Sequence, residues 1–132
     1  MIFDKELMFV EKESMQNVDT GPLGRVLDLG APEQGKGRPS WVALVFKADT
    51  TATGDPDMSF ALETSDEANF SMPRVIPLSL PTPVKKANMK AGMCLCAPTP
   101  LCIERYVRLK LTTASPITCT GMEAGFVLDI NS

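Results

Sequence analysis

Arg105-Tyr106-Val107-Arg108-Leu109-Lys110-Leu111 is the stretch whose reading decides the fold class. Side chains alternate along an extended chain with a period of two, so Val107, Leu109 and Leu111 share one side and Tyr106, Arg108 and Lys110 the other. That is a half-buried strand with an apolar face toward a core and a basic face outward. Upstream, Met58, Phe60 and Leu62 alternate with Ser59, Ala61 and Glu63 in the same way. Downstream, Phe126, Leu128 and Ile130 alternate around Val127 and Asp129. Trp41 to Phe46 is apolar on both sides, which suits a buried place in a sheet and puts Trp41 in the core. Arg25 to Leu29 and Met93 to Ala97 are two more short strands. Val75 to Leu80 is another, but Pro77 lacks a ladder donor and assigns it to an edge or a bulge.

Turn chemistry separates these runs. Gly30 to Pro39 is a Gly-rich loop, and Ala48 to Pro56 is a Thr-laden connection ending in Gly54-Asp55-Pro56. The 11 prolines are scattered through the chain, which helix interiors do not tolerate. Seven or eight short strands with such spacing read as an all-β sandwich or barrel.

The first stretch differs. Phe3, Leu7 and Val10 mark one face of a helix, while Leu7-Met8-Phe9-Val10 equally reads as a short strand. The organisation expected is therefore one β-sandwich domain over residues 1–132. Within it, 1–22 form an N-terminal arm or edge segment and 23–132 the sandwich core. If the segment is an arm, Phe3, Leu7 and Phe9 are its apolar anchors on a partner chain, because apolar residues outside the strand repeat need burial somewhere.

At 132 residues the chain is long enough to bury a core without metals or disulfides. Its net charge of −3 argues against a nucleic-acid-binding surface. Its longest strongly apolar run, Trp41 to Phe46, falls far short of the ~20 residues that cross a bilayer, so no membrane partner is expected. No basic start precedes an apolar stretch, so no export signal is expected either. Cys94, Cys96, Cys102 and Cys119 are then expected as four reduced thiols, mostly in apolar settings. Cys-x-Cys is not the usual zinc-ligand spacing, and no histidine completes a mixed site, so no metal and no cofactor is expected.

The absence of histidine also removes the usual general base for a Ser or Cys nucleophile, and no enzyme activity is expected. Asp55 and Asp57 flank Pro56 and can offer oxygens to a calcium ion, but Asp beside Pro also simply favours a bend. Gly35-Lys36-Gly37 lacks the remaining spacing of a phosphate loop. The basic stripe Arg105, Arg108 and Lys110 is either a solvated strand face or a surface for an acidic neighbour across an interface.

Taken in order, several segments resemble one known family. They are Val26-Leu27-Asp28-Leu29-Gly30 with its Gly-rich loop, Phe60-Ala61-Leu62-Glu63-Thr64-Ser65, Arg105-Tyr106-Val107-Arg108-Leu109 and Gly125-Phe126-Val127-Leu128-Asp129-Ile130. Together they are similar to the jelly-roll cement proteins of tailed bacteriophages, the type found on short-tailed Bordetella phages. The resemblance covers roughly residues 24 to 131, with a looser match at Met1-Ile2-Phe3-Asp4. It implies a jelly-roll-like antiparallel β-sandwich that forms a homodimer and binds the major capsid protein. The protein would be made in the bacterial host cytoplasm and end on the outer capsid surface of the virion. There it would bridge and stabilise neighbouring capsid subunits without catalytic residues. The Cys-rich strand from Cys94 to Cys102 departs from the family's pattern. The alternative is a carbohydrate- or receptor-binding jelly roll on a virion or cell surface, which wants exposed aromatics that one Trp and one Tyr barely supply.

Overall fold

The computed structural model describes residues 7–29, 41–80, 83–100 and 103–127, with the backbone alone for 12–14. Nine strands follow one another: β1 (Met8–Val18), β2 (Gly21–Asp28), β3 (Trp41–Phe46), β4 (Thr51–Ala52), β5 (Met58–Ser65), β6 (Arg74–Pro77), β7 (Cys94–Pro98), β8 (Tyr106–Thr113) and β9 (Ile117–Val127). Among the described residues there is no α-helix; a 3₁₀ turn spans Lys86–Asn88.

The strands form two antiparallel sheets. One runs β1-β9-β3-β7, with the short β4 also paired to β9, and the other runs β2-β8-β5-β6. The pairing is nested: β1 with β9, β2 with β8, β3 with β7 and β5 with β6. Such a chain is one long hairpin, tipped at β5–β6, whose paired arms are rolled so that successive pairs fall in opposite sheets. The β9–β3 and β8–β5 ladders then close each sheet. This is a jelly roll, the sandwich expected from the strand pattern and the resemblance.

The alternation that decides the fold class also builds the core. Val107, Leu109 and Leu111 are fully buried and stand opposite Thr64, Leu62 and Phe60 of β5. On the other flank, Leu23 and Leu27 of β2 pair with Leu109 and Val107. The facing sheet contributes Val42, Leu44 and Phe46 of β3, with Met122, Ala124 and Phe126 of β9. The buried Thr64 hydroxyl meets its hydrogen-bonding needs by donating to the Tyr106 carbonyl at 3.0 Å and accepting from the Glu104 N–H at 2.6 Å. A buried hydroxyl left unpaired would cost about 1–3 kcal/mol.

β9 is longer than its alternation in sequence suggests. Ile117 and Cys119 face the core, then Met122, Ala124 and Phe126 do, so the phase slips by one residue at Gly121. A one-residue bulge is what re-aims a strand in this way. The expected residues Leu128 and Ile130 lie outside the described residues.

The N-terminal segment is a strand from residue 8 onward, at the edge of the five-stranded sheet. Its register against β9 slips repeatedly, and Phe9 and Val10 both enter the core. The helical-face reading of Leu7 and Val10 is thereby replaced, and the division expected after residue 22 passes through β2.

Gly24 ties the two sheets together at one corner. Four steps along β2, from Leu23 to Leu27, match two along β8, so two residues bulge out. Gly24 adopts φ +71°, and a Cβ there would lie 2.0 Å from the Phe9 carbonyl oxygen of β1. Next to it, the Arg25 Nε donates to the Met8 carbonyl at 2.8 Å. Gly24→Ala is therefore expected to cost more than about 3 kcal/mol, from the left-handed backbone and the forced separation of β1. Gly54, at φ +75° in open space, serves as the control. Gly54→Ala should cost only about 1 kcal/mol, the conformational share alone. Urea denaturation of the two variants checks this, and equal losses would contradict the close approach at Gly24.

Candidate interaction surfaces

The outer face of the four-stranded sheet carries the basic stripe. Arg108 Nε donates to Glu63 at 2.9 Å across the β8–β5 ladder, and its guanidinium lies 4.2 Å from the Phe70 ring centroid. Glu63 is only 7% exposed, so this pair is a mostly buried ion pair rather than a solvated one. Phe70 sits at φ +52°, a conformation an aromatic residue rarely holds without being clamped. The clamp is visible: the ring is buried beneath Arg108, and the Phe70 N–H donates to the Glu67 carbonyl. Ser71 adds hydrogen bonds to Asn69 and Glu67. The loop between β5 and β6 is thus held in one shape, and it presents Met72, 86% exposed, beside Val75 of the edge strand β6, 50% exposed.

Arg105 makes a two-pronged contact with Asp28, at 2.9 and 3.0 Å, and stacks over Tyr106 at 5.0 Å. The Asp28 carboxylate, first through the hydrogen bond and then through its charge, raises the Arg105 pKa further. Of the expected basic stripe, Arg105 and Arg108 therefore already hold acidic neighbours within the chain. Lys110 is half-buried and, among the described residues, pairs with no carboxylate.

The outer face of the five-stranded sheet mixes apolar residues with one charged pair, Glu123 of β9 standing opposite Val45 and meeting Lys47 at 3.6 Å. Because Val42, Leu44 and Phe46 point into the core, Trp41, Ala43 and Val45 of β3 point out. Trp41 is half-buried on this outer face and is not the core residue expected. Across the ladders Ala43 lies beside Cys96 on one side and Gly125 on the other, and Gly125 pairs with Met8. A Cβ on Gly125 would stand 2.7 Å from the Leu7 carbonyl oxygen, so the glycine lets β1 lie close.

The N-terminal anchors fare unequally. Phe9 is 1% exposed and packs its ring against Phe126 at 5.3 Å between centroids, so it belongs to this protein's own core and is not available to a partner. Leu7 is half-buried against the same core. Phe3 lies outside the described residues.

The Asp55-Pro56-Asp57 turn is occupied from within. Lys85 Nζ binds the Asp57 carboxylate and donates to the Asp55 carbonyl at 3.2 Å. That hydrogen bond to Asp57 outweighs desolvation and raises the Lys85 pKa above 10.5. An ammonium therefore sits where a calcium ion would need oxygens. Among the described residues no three His, Cys, Asp or Glu side chains converge, and no helix is long and apolar enough to cross a membrane. Cys94, Cys96 and Cys119 are free thiols, and Cys102 lies outside the described residues. Burial pushes the Cys119 thiol up from its ordinary 9.0, with the Thr50 hydroxyl pulling weakly the other way.

Eight nested strands in two antiparallel sheets, with β4 as an extra pairing, define the class: a jelly-roll β-sandwich. The model of the Bbp16 family matches residues 15–126, and the chain belongs to that family. The family is phage-associated, its name marking a Bordetella phage protein. No curated protein matches the chain.

Two measurements follow from these surfaces. Arg108→Ala strands Glu63 in a site with little water and uncovers Phe70, and is expected to cost about 2–4 kcal/mol. Lys110→Ala on the same strand should stay within about 0.5 kcal/mol. Equal effects in a denaturant series would show that the stripe is a solvated face. The second concerns alkaline pH. A thiol whose folded pKa is raised stabilises the fold fully below its unfolded pKa, and that stability is lost as pH rises through the folded pKa. Stability is therefore expected to fall from pH 9 to 10 with a slope of up to about 1.4 kcal/mol per pH unit per buried thiol. Cys119→Ala should flatten that slope, whatever its effect on stability at pH 7.

Proposed function

We infer that the protein is a capsid cement protein, a jelly-roll module that binds the outside of a phage shell and bridges major capsid subunits. The observation that carries this reading is membership of a phage-associated family across residues 15–126. The chemistry of the surface supports it. Charged side chains are paired locally, Arg105 with Asp28, Arg108 with Glu63 and Lys85 with Asp57, rather than gathered in a cleft where they could act on a substrate. The protein has no catalytic role in this reading.

The contact surface assigned here is the β6 edge with its preceding loop. Met72 and Val75 are large, apolar and exposed, and the Phe70–Arg108 clamp fixes the loop before binding. A clamped loop loses little entropy on docking, which raises affinity without more area. Two copies of the chain act together in this reading, since two-fold pairing is the commonest arrangement of identical chains. Sites where capsid subunits meet exist only on the assembled lattice, so isolated subunits offer a poorer target.

A second reading has one residue in its favour. Trp41 lies on an outer sheet face, where an aromatic ring can stack on a sugar. Binding to a carbohydrate or receptor would depend on that ring.

The two readings separate in one assay. The purified chain is expected to sediment as a dimer when free and to cosediment with expanded shells but not with isolated capsid subunits. It should also raise the shells' heat resistance. Met72→Asp with Val75→Asp should weaken shell binding at least tenfold, or about 1.4 kcal/mol, while Trp41→Ala leaves it intact. Loss with Trp41→Ala alone, together with glycan binding by the intact chain, favours the carbohydrate reading. Failure of the intact chain to bind expanded shells overturns the cement reading.

A further inference from the structure

Among the described residues β7 is the outermost strand of its sheet and pairs with β3 alone. On its outward side Cys94 stands opposite Val45 and Cys96 opposite Ala43, so the two sulfurs flank one peptide step on the same face. Cys94 is exposed and Cys96 half-buried, and their Sγ atoms are 3.2 Å apart. A disulfide bond is about 2.05 Å long, so a further approach of about 1.2 Å would close one. Among the described residues both are free thiols whose sulfurs meet only each other. Cys119, by contrast, is sealed in the core.

The backbone sets the character of such a bond. Two residues along a strand put their Cα atoms about 6.6–6.8 Å apart, the upper end of the range that disulfides span. Closure therefore needs the strand to shorten slightly between residues 94 and 96. An edge strand can do this because only one ladder, the Leu95–Leu44 step against β3, must adjust. A disulfide made under that tension is readily reduced again.

We propose that Cys94 and Cys96 form a reversible dithiol–disulfide couple at the exposed β7 edge, closed by low-molecular-weight disulfides of the glutathione class and reopened by excess thiol. Partial burial, and then the hydrogen bond the two sulfurs share, push the Cys94 thiol up to about 12. The first attack is assigned to Cys96, whose neighbour holds its proton the more tightly. Its thiolate displaces one half of the oxidised glutathione, which leaves as a thiolate and is protonated by solvent. The Cys94 sulfur next loses its proton to solvent and attacks Cys96 Sγ, expelling the second glutathione. Two protein thiols are oxidised by two electrons, and one glutathione disulfide is reduced to two thiols.

The test uses the full chain, reduced and then equilibrated with mixtures of oxidised and reduced glutathione. Acid quenching, alkylation of the unfolded chain and mass spectrometry count the thiols that remain. The expected result is two blocked thiols at oxidising ratios, restored by excess thiol. The block should persist in Cys102→Ser and vanish in Cys94→Ser and in Cys96→Ser. Cys94→Ser should instead accumulate one glutathione on Cys96. Phenylarsine oxide, a reagent for close thiol pairs, should bind the reduced chain one to one and fail with either single variant. Four thiols open at every ratio would overturn the proposal. So would a block that disappears in Cys102→Ser, since Cys102 would then be a member of the pair.

Discussion

The pairing of β1 with β9 is the constraint on which the rest of the sandwich depends. It joins strands from opposite ends of the chain, and every other ladder of the nested hairpin lies inside it. Without it the five-stranded sheet would end at β9, and the apolar side chains of β9 would lose a neighbour on that flank. Long-range pairing of this kind is entropically costly to close, so it must be recompensed by local contacts at the seam. The seam supplies them: the tilted Phe9–Phe126 ring pair, Val10 in the core and the Asn17 N–H to Thr118 hydroxyl bond. Two glycines make the seam possible. Gly125 lets β1 approach β9, and Gly24 lets the second sheet come against Phe9.

Phe9 and Val10 are committed to the core, so the surface is made by other residues. Among the described residues the jelly roll has two outer faces and the edge strands β1, β7, β2 and β6. The face of the four-stranded sheet is largely neutralised by its own pairs, and the most deeply placed of these, Arg108 with Glu63, also clamps Phe70 in its left-handed conformation. One interaction thus couples packing beneath the sheet surface to the shape of an exposed loop. Attraction between that face and an acidic neighbour is correspondingly weak, because Arg105 and Arg108 would first have to leave their carboxylates. Apolar contact at the rigid loop and the β6 edge meets no such competition.

The opposite edge has a different chemistry. β7 places two thiols outward on a strand free to adjust on one side, whereas Cys119, two sheet positions inward on β9, is enclosed. The same residue type is therefore a packing element at one place and a solvent-facing group at another. Strand position alone separates the two.

Much was legible in the sequence by itself. Period-two alternation in Tyr106 to Leu111 and in Met58 to Leu62 determined strands, their buried faces and the all-β class, because a sheet with one face in a core admits only that pattern. Proline marked β6 as an edge, where a missing N–H costs nothing. Order and spacing of the segments also pointed to a phage protein, and residues 15–126 match a phage-associated family. Other features only the tertiary structure decided. β1 and the first half of β9 hide their alternation because bulges shift the phase, and a bulge exists only relative to the strand opposite. Trp41 sits in a run apolar on both sides, and which side faces the core depends on the second sheet. Phe9 is a core residue because the last strand passes beside it, more than a hundred residues later in the chain. Arg108 is paired rather than solvated because β5 brings Glu63 across from it. In each case the deciding neighbour is remote in sequence, and local patterning carries no record of it.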